Sequence, residues 1–249
     1  MRNHNIKKED HAVTTKSWAT GVILALGFSL LAGSWVVSAA APTDDKAGWK
    51  PLFDGKSLKD WKSANFGGEG EVSVKDGAVL MATGSDMTGI TYIRDDFPKM
   101  NYEIALEGKR LQGNDFFCTT TFPVGDSHCS LVVGGWSGAV VGLSSIGGRD
   151  ASENATKTLQ SFKQDRWYRI RIRVTGERIE AWIDDKRVVN QATKGKKISI
   201  RPECDLCTPF GIATWRTSGA VRAIRVRPLT RVLQFLRTCA FLFRLSALH

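Results

Sequence analysis

Arg149, Asp150, Glu153 and Asn154 crowd one stretch, SIGGRDASENAT, between two apolar runs of this 249-residue chain. Two carboxyls and a guanidinium on a loop carried by rigid strands are suited to acid–base work. The carboxyls would move protons and the arginine would stabilise a developing oxyanion. Asp150 and Glu153 are therefore candidate catalytic groups and Arg149 a candidate ligand contact; the plainer alternative is a solvated loop. Asp115 is a third catalytic candidate, with Asn114 beside it as a binding residue, against the alternative of an aspartate capping a turn. His128 is the only histidine between residues 42 and 230. Its ordinary pKa of about 6.5 suits a base at neutral pH, yet it also reads as a turn residue beside Cys129, and one histidine makes no constellation. Trp136 in GGWSG, Trp182 and Trp215 are candidate binding platforms, since an indole offers an apolar face and a polar edge. The glycines around Trp136 allow a ligand close approach. Trp61 and Trp167 are expected in the core.

No paired histidines mark a metal site, and Asp184-Asp185 reads as a hairpin turn. A calcium ion held by loop carboxylates is the one metal left open, and no other cofactor is evident. Neither a phosphate loop nor a dinucleotide fingerprint is present. Cys118 and Cys129 flank the turn signal PVGDS and are expected to face each other across a hairpin. Cys204 and Cys207 form a CxxC with no second pair and no nearby histidine to complete a zinc set, so a local bridge is expected there. Cys239 is left over, and the connectivity stays open.

The ends of the chain differ from its middle. Residues 1–19 are polar and basic, Thr20 to Val37 carry no charge, and SAAAP follows. That is the pattern of a secretory signal over residues 1–40, cut after Ala39 or Ala40, with an uncleaved membrane anchor as the alternative. Ser34 stands where a lipidated cysteine would be. Export to the periplasm or beyond is expected, which is the setting where disulfides form. Residues 230–249 are rich in Leu and Phe, and read as a foreign extension or an interfacial helix. Membrane contact is expected only through these two ends. The formal charge of +10 falls once residues 1–41 and 231–249 are set aside, leaving 28 basic and 23 acidic groups. Dispersed among acids, these make no nucleic-acid footprint.

From Trp49 to Leu229 short alternating apolar runs are broken by Gly, Asp, Asn and Pro, with no capped amphipathic helix. Many short strands at regular spacing predict one all-β sandwich or jelly roll of two packed antiparallel sheets over 49–229. Lys75-Asp76-Gly77 predicts a hairpin turn. A second hairpin pairs Arg173 with Glu180, Arg171 with Trp182 and Arg169 with Asp184, with Ile170, Ile172, Val174, Ile179, Ala181 and Ile183 on the opposite, core face. The polar face reads as a solvated salt ladder or as a sugar-binding face.

The opening WKPLFDGKSLKDW at 49–61 resembles the start of the bacterial 3-keto-disaccharide hydrolase domain family, whose members are concanavalin-A-like sandwiches. VKDGAVLMA (74–82), NYEIALEGKR (101–110), NDFF (114–117), the stretch 165–189 and GAVRAIRVRPL (219–229) extend the likeness over 49–229. The resemblance implies a carbohydrate ligand and a glycoside-cleaving activity on 3-keto sugars. Many members carry a Tyr-Glu-(aliphatic)-Gln-(aliphatic) strand followed by Asp. Here residues 130–156 hold no acid before Asp150, so those acids have no counterpart. Two functions are expected in consequence. The first is a glycoside hydrolase or lyase with Asp150 or Glu153 as acid/base; the second is a carbohydrate-binding module on the same fold.

Overall fold

The computed structural model describes residues 48–229, all of them within one compact unit of the chain. The expected signal over 1–40, the tail 230–249 and Cys239 lie outside the described residues. In chain order the strands are β1 (Lys50–Pro51), β2 (Trp61–Ser63), β3 (Val72–Lys75), β4 (Ala78–Met81), β5 (Met87–Tyr92) and β6 (Tyr102–Gln112). β7 (Thr119–Val124), β8 (Ser127–Gly134), β9 (Val140–Ser144), β10 (Thr158–Leu159) and β11 (Trp167–Val174) follow. β12 (Arg178–Ile183), β13 (Lys186–Ala192), β14 (Gly211–Trp215) and β15 (Ser218–Pro228) complete the set. A 3-10 helix spans Pro202–Cys207, and a one-turn loop, Gly135–Gly138, joins β8 to β9.

Two antiparallel sheets result. The first runs β13-β12-β11-β6-β15-β4-β3, with β1 added on β15; the second runs β10-β9-β8-β7-β14-β5-β2. Alternation along each strand decides the faces. Tyr102, Ile104, Leu106, Ile170, Ile172 and Val226 of the first sheet meet Ile90, Phe122, Leu131, Val141, Leu143 and Ile212 of the second in one buried cluster. This is the expected all-β jelly-roll sandwich. Among the described residues no helix is long and apolar enough to cross a membrane.

The hairpin turns follow residue chemistry. Asp76 and Gly77 both have positive φ, +51° and +76°, as a type I′ turn between β3 and β4 requires. The predicted β11–β12 register is present, with Arg171 opposite Trp182 and Arg173 opposite Glu180. The opening motif is a folding device. Leu52, Phe53 and Trp61 are buried, and the Trp61 indole N–H donates to the Leu52 carbonyl at 2.9 Å. Asp54 accepts from the backbone N–H groups of Lys56 and Ser57, both at 2.8 Å. Those bonds hold its carboxyl below the usual range.

Three expectations need correction. Cys129 pairs with Phe122 across the β7–β8 hairpin, so Cys118, four residues upstream of Phe122, is out of register for a bridge. Cys118 instead packs over Gly108 of the facing sheet, where a Cβ would come within 2.6 Å of its sulfur. Cys204 and Cys207, expected to bridge locally, are likewise separate buried thiols. Trp167 is not in the core: it lies on the outer face of the first sheet, between Arg222 and Lys109.

Candidate functional site

A cleft of about 240 Å³ opens on the outer face of the second sheet. Its floor comes from alternate residues of adjacent strands: Met87 on β5, Trp215 on β14, Thr119 on β7, Ser130 and Val132 on β8, and Ser144 on β9. Asp115 and Phe116 enter from the segment before β7, Trp136 from the β8–β9 loop, and Arg201, Glu203 and Cys204 from the 3-10 helix and its approach. The cleft's carboxylates, Asp115 and Glu203, come from segments flanking the strands rather than from the sheet itself.

The aromatic side of the cleft is fixed by backbone bonds. Trp215 N–H donates to the Phe116 carbonyl at 3.0 Å, and the two rings lie 6.2 Å apart, tilted by 43°. Trp136 stands on a strained loop. Its φ is +48° and that of Ser137 is +65°, flanked by Gly134 at +78° and Gly138 at +96°. Consecutive non-glycine residues in the left-handed region persist only when their surroundings hold them. Asp115 does part of this, its Oδ2 accepting from Ser137 N–H at 3.3 Å while Oδ1 accepts from Phe116 N–H at 2.7 Å. Arg110, only 5% exposed, does the rest from beneath, donating from Nη2 to the Gly138 carbonyl at 3.0 Å. Its guanidinium also lies 5.1 Å from the Phe117 ring, and burial lowers its pKa. The result is a ring 40% exposed at the cleft edge.

The polar side is an Arg201–Glu203 pair. Arg201 donates to Glu203 from Nη2 at 2.7 Å and from Nε at 3.3 Å, and to Asp150 Oδ2 from Nη1 at 3.0 Å. The Arg201 bond holds the Glu203 carboxyl below its usual range, so it is ionised at neutral pH; bonding to Glu203 raises the arginine in turn. Asp150 is itself fixed by Ser152 N–H and hydroxyl, at 2.8 and 2.7 Å, and Asn154 ties that loop to the Leu143 carbonyl of β9 at 2.7 Å. Burial raises the Cys204 thiol.

Three predicted site residues therefore meet in the cleft: Asp115, Trp136 and Trp215. Asp150 reaches it only through Arg201. Arg149 and Glu153 are exposed on the loop outside the lining, and Asn114 is exposed beside Asp115. His128 lines a separate hollow of about 190 Å³ with Lys99 and Asp126, where burial and then Lys99 lower its pKa. Trp182 lies on the other sheet, its ring 4.0 Å from the Arg171 guanidinium, and shares no site with Trp136. Arg201 and Glu203 were missed because RPEC draws attention to its cysteine; an i, i+2 acid–base pair in a loop carries no signal of its own. Among the described residues no three His, Cys, Asp or Glu side chains are grouped to hold a metal ion.

Fold and cleft together define a jelly-roll sandwich with a cleft on an outer sheet face. The chain belongs to the 3-keto-alpha-glucoside-1,2-lyase-like domain family, whose model matches residues 48–227. Its fold is similar to that of Crh5 transglycosylase in complex with NAG, at 14% identity and a TM-score of 0.51, covering 74% of this chain and 85% of that one. It is also similar to the Emp47p carbohydrate recognition domain (9% identity, TM-score 0.50, 75% and 100% covered). A Bacillus subtilis protein of unknown function with a galectin-like fold matches at 11% identity and a TM-score of 0.50, with 73% and 95% covered. At these identities the likeness is one of fold. No curated protein matches the chain.

Proposed function

We propose that this chain is an exported carbohydrate-active protein that takes one sugar ring of a 3-keto glycoside into the cleft and cleaves its anomeric bond. The carrying observation is the pairing of an aromatic wall, Trp136 and Trp215 with Phe116, with an ionised Glu203 and a cationic Arg201 at one small cleft. Aromatic faces suit the C–H side of a sugar, and the volume suits one ring. Family membership supports a 3-keto glycoside as the substrate class.

A 3-keto group acidifies the hydrogen on C2. Glu203 takes that proton, Arg201 steadies the negative charge gathering on the ketone oxygen, and the C1–O bond breaks as the C1–C2 double bond forms. The leaving oxygen takes up a proton, and later addition of water completes net hydrolysis. A second reading, binding without turnover, is favoured by one observation. Asp115 already accepts from two backbone N–H groups and Glu203 from Arg201.

Incubating the protein with 3-keto-trehalose and a 3-keto-glucoside, with calorimetric binding measured alongside, separates the two. Turnover that falls about 10²-fold or more in Glu203→Gln supports cleavage, and binding without turnover supports the second reading. Trp136→Ala is expected to weaken binding by about tenfold in either case. Neither binding nor turnover of any sugar would overturn both.

A further inference from the structure

The outer face of the first sheet carries most of the charge excess of the described residues. β11 contributes Arg169, Arg171 and Arg173 to it, and β15 contributes Arg222, Arg225 and Arg227. Lys109 on β6, Arg178 on β12 and Arg187 on β13 lie on the same face. Against these nine cations stand three carboxylates, Glu103, Glu107 and Glu180. The hairpin tip adds Arg166 with Asp184 and Asp185, leaving an excess of five. Residues 48–229 hold 27 basic and 21 acidic groups, an excess of six. The remainder of the surface is therefore close to neutral. A solvated salt ladder would be balanced, and this face is not.

The cations are also held in place. Trp49 lies 4.8 and 4.5 Å from the guanidinium groups of Arg225 and Arg227, and Trp167 lies 4.1 Å from that of Arg222. Trp182 is covered by Arg171 at 4.0 Å and Arg173 at 5.4 Å. Stacking on indoles and bonding to Glu103 fix planar forks that match carboxylate and sulfate oxygens. The Arg225 Nε, buried, has no hydrogen-bond partner.

The kind of polyanion follows from what the face lacks. Among the described residues the exposed large apolar side chains are Ile93, Trp136, Leu159 and Leu206, none of them on this face, so nothing here inserts into a bilayer. Its indoles are capped by cations rather than open for base stacking, and a flat sheet does not enter a groove. An extended chain bearing anionic groups at intervals does fit rows of cations about 4.8 Å apart between strands and about 6.8 Å apart along them. We propose that this face binds an acidic polysaccharide, bearing uronate or sulfate groups, independently of the cleft.

The test uses the full chain on immobilised polygalacturonate and heparin, with neutral dextran as control, between about 50 and 200 mM salt. Retention on the acidic matrices and not on dextran is expected, weakening with salt. Lys109→Gln/Arg169→Gln/Arg178→Gln touches none of the groups that hold Glu103, and is expected to bind roughly tenfold more weakly or worse, while Trp136→Ala binds as the parent does. Should the triple variant melt early, Arg178→Glu, at a side chain that bonds only Asn190, replaces it. No retention above dextran, unchanged binding by folded variants, or tighter binding to single-stranded DNA or phosphatidylglycerol vesicles at the same salt would each overturn the proposal.

Discussion

Trp136 shows how a single side chain is placed at a cost. Two adjoining positive-φ residues are unfavourable, and the loop holds them with Asp115 from one side and a nearly buried Arg110 from below. Gly138 is the position where this arrangement has no slack. Its φ is +96°, and a Cβ there would lie 2.8 Å from the Asn114 carbonyl oxygen and 3.2 Å from Arg110 Nη1. Gly148, at φ +78°, has nothing within 4 Å of the same added atom. Gly148→Ala is expected to lose about 1 kcal/mol from conformation alone, and Gly138→Ala about 2–3 kcal/mol, with sugar affinity falling only in the latter. Thermal melts and calorimetry of the two variants check this; equal losses would mean the loop relaxes freely. The sequence flagged Trp136 through its glycines, but the strain and the buried arginine depend on Arg110, 26 positions away on the other sheet.

Among elements, the β11–β6–β15 ladder is the clearest unit. Glu103 on β6 has no exposed side-chain surface, and it accepts from Arg171 at 3.1 Å, from Arg173 at 2.7 Å and from Arg227 Nε at 2.7 Å. Burial alone would raise its carboxyl; Arg173 and Arg227 outweigh that and hold it below the usual range. A folded pKa below the unfolded value means the stabilisation is present above about pH 4.3 and is lost as pH falls through the folded value. Glu103→Gln is expected to cost about 2–3 kcal/mol at neutral pH, less than a fully buried pair because Arg171 and Arg173 are about a third exposed. The difference in Tm between parent and variant should shrink below about pH 4; a difference that is flat down to pH 3 would remove the carboxylate's role. The β11–β12 hairpin was legible because period-2 alternation is local. Its third partner was not: Glu103 joins it through β6, 68 positions before Arg171, and β pairing at that separation leaves no mark on either segment.

At the scale of the molecule, one large core between two sheets holds the fold, and among the described residues Cys118, Cys129, Cys204 and Cys207 are free thiols. Strand pattern and motif made the sandwich readable from 49 to 229, and the same signals misplaced the cysteines. A turn signal fixes that two strands pair, but one shift in register decides which residues oppose; here it puts Phe122, not Cys118, across from Cys129. The cleft was half legible for a similar reason. Asp115, Trp136 and Trp215 stand out by type, whereas Arg201 and Glu203 join them only because the 3-10 helix folds over the sheet. Burial pushes the Cys129 thiol up to about 12 and raises those of Cys118, Cys204 and Cys207 as well. None is a ready thiolate. In a Cys239→Ser background, a thiol reagent should therefore label none of the four rapidly in the native state and all four in denaturant, and Tm should be the same with and without reductant. Cys204, which lines the cleft at 8% exposure, should be the first to react on long incubation, and a bound sugar should slow it. A fall in Tm on reduction would reveal a bridge. Labelling of Cys204 that is indifferent to a saturating sugar would place the ligand elsewhere on the protein.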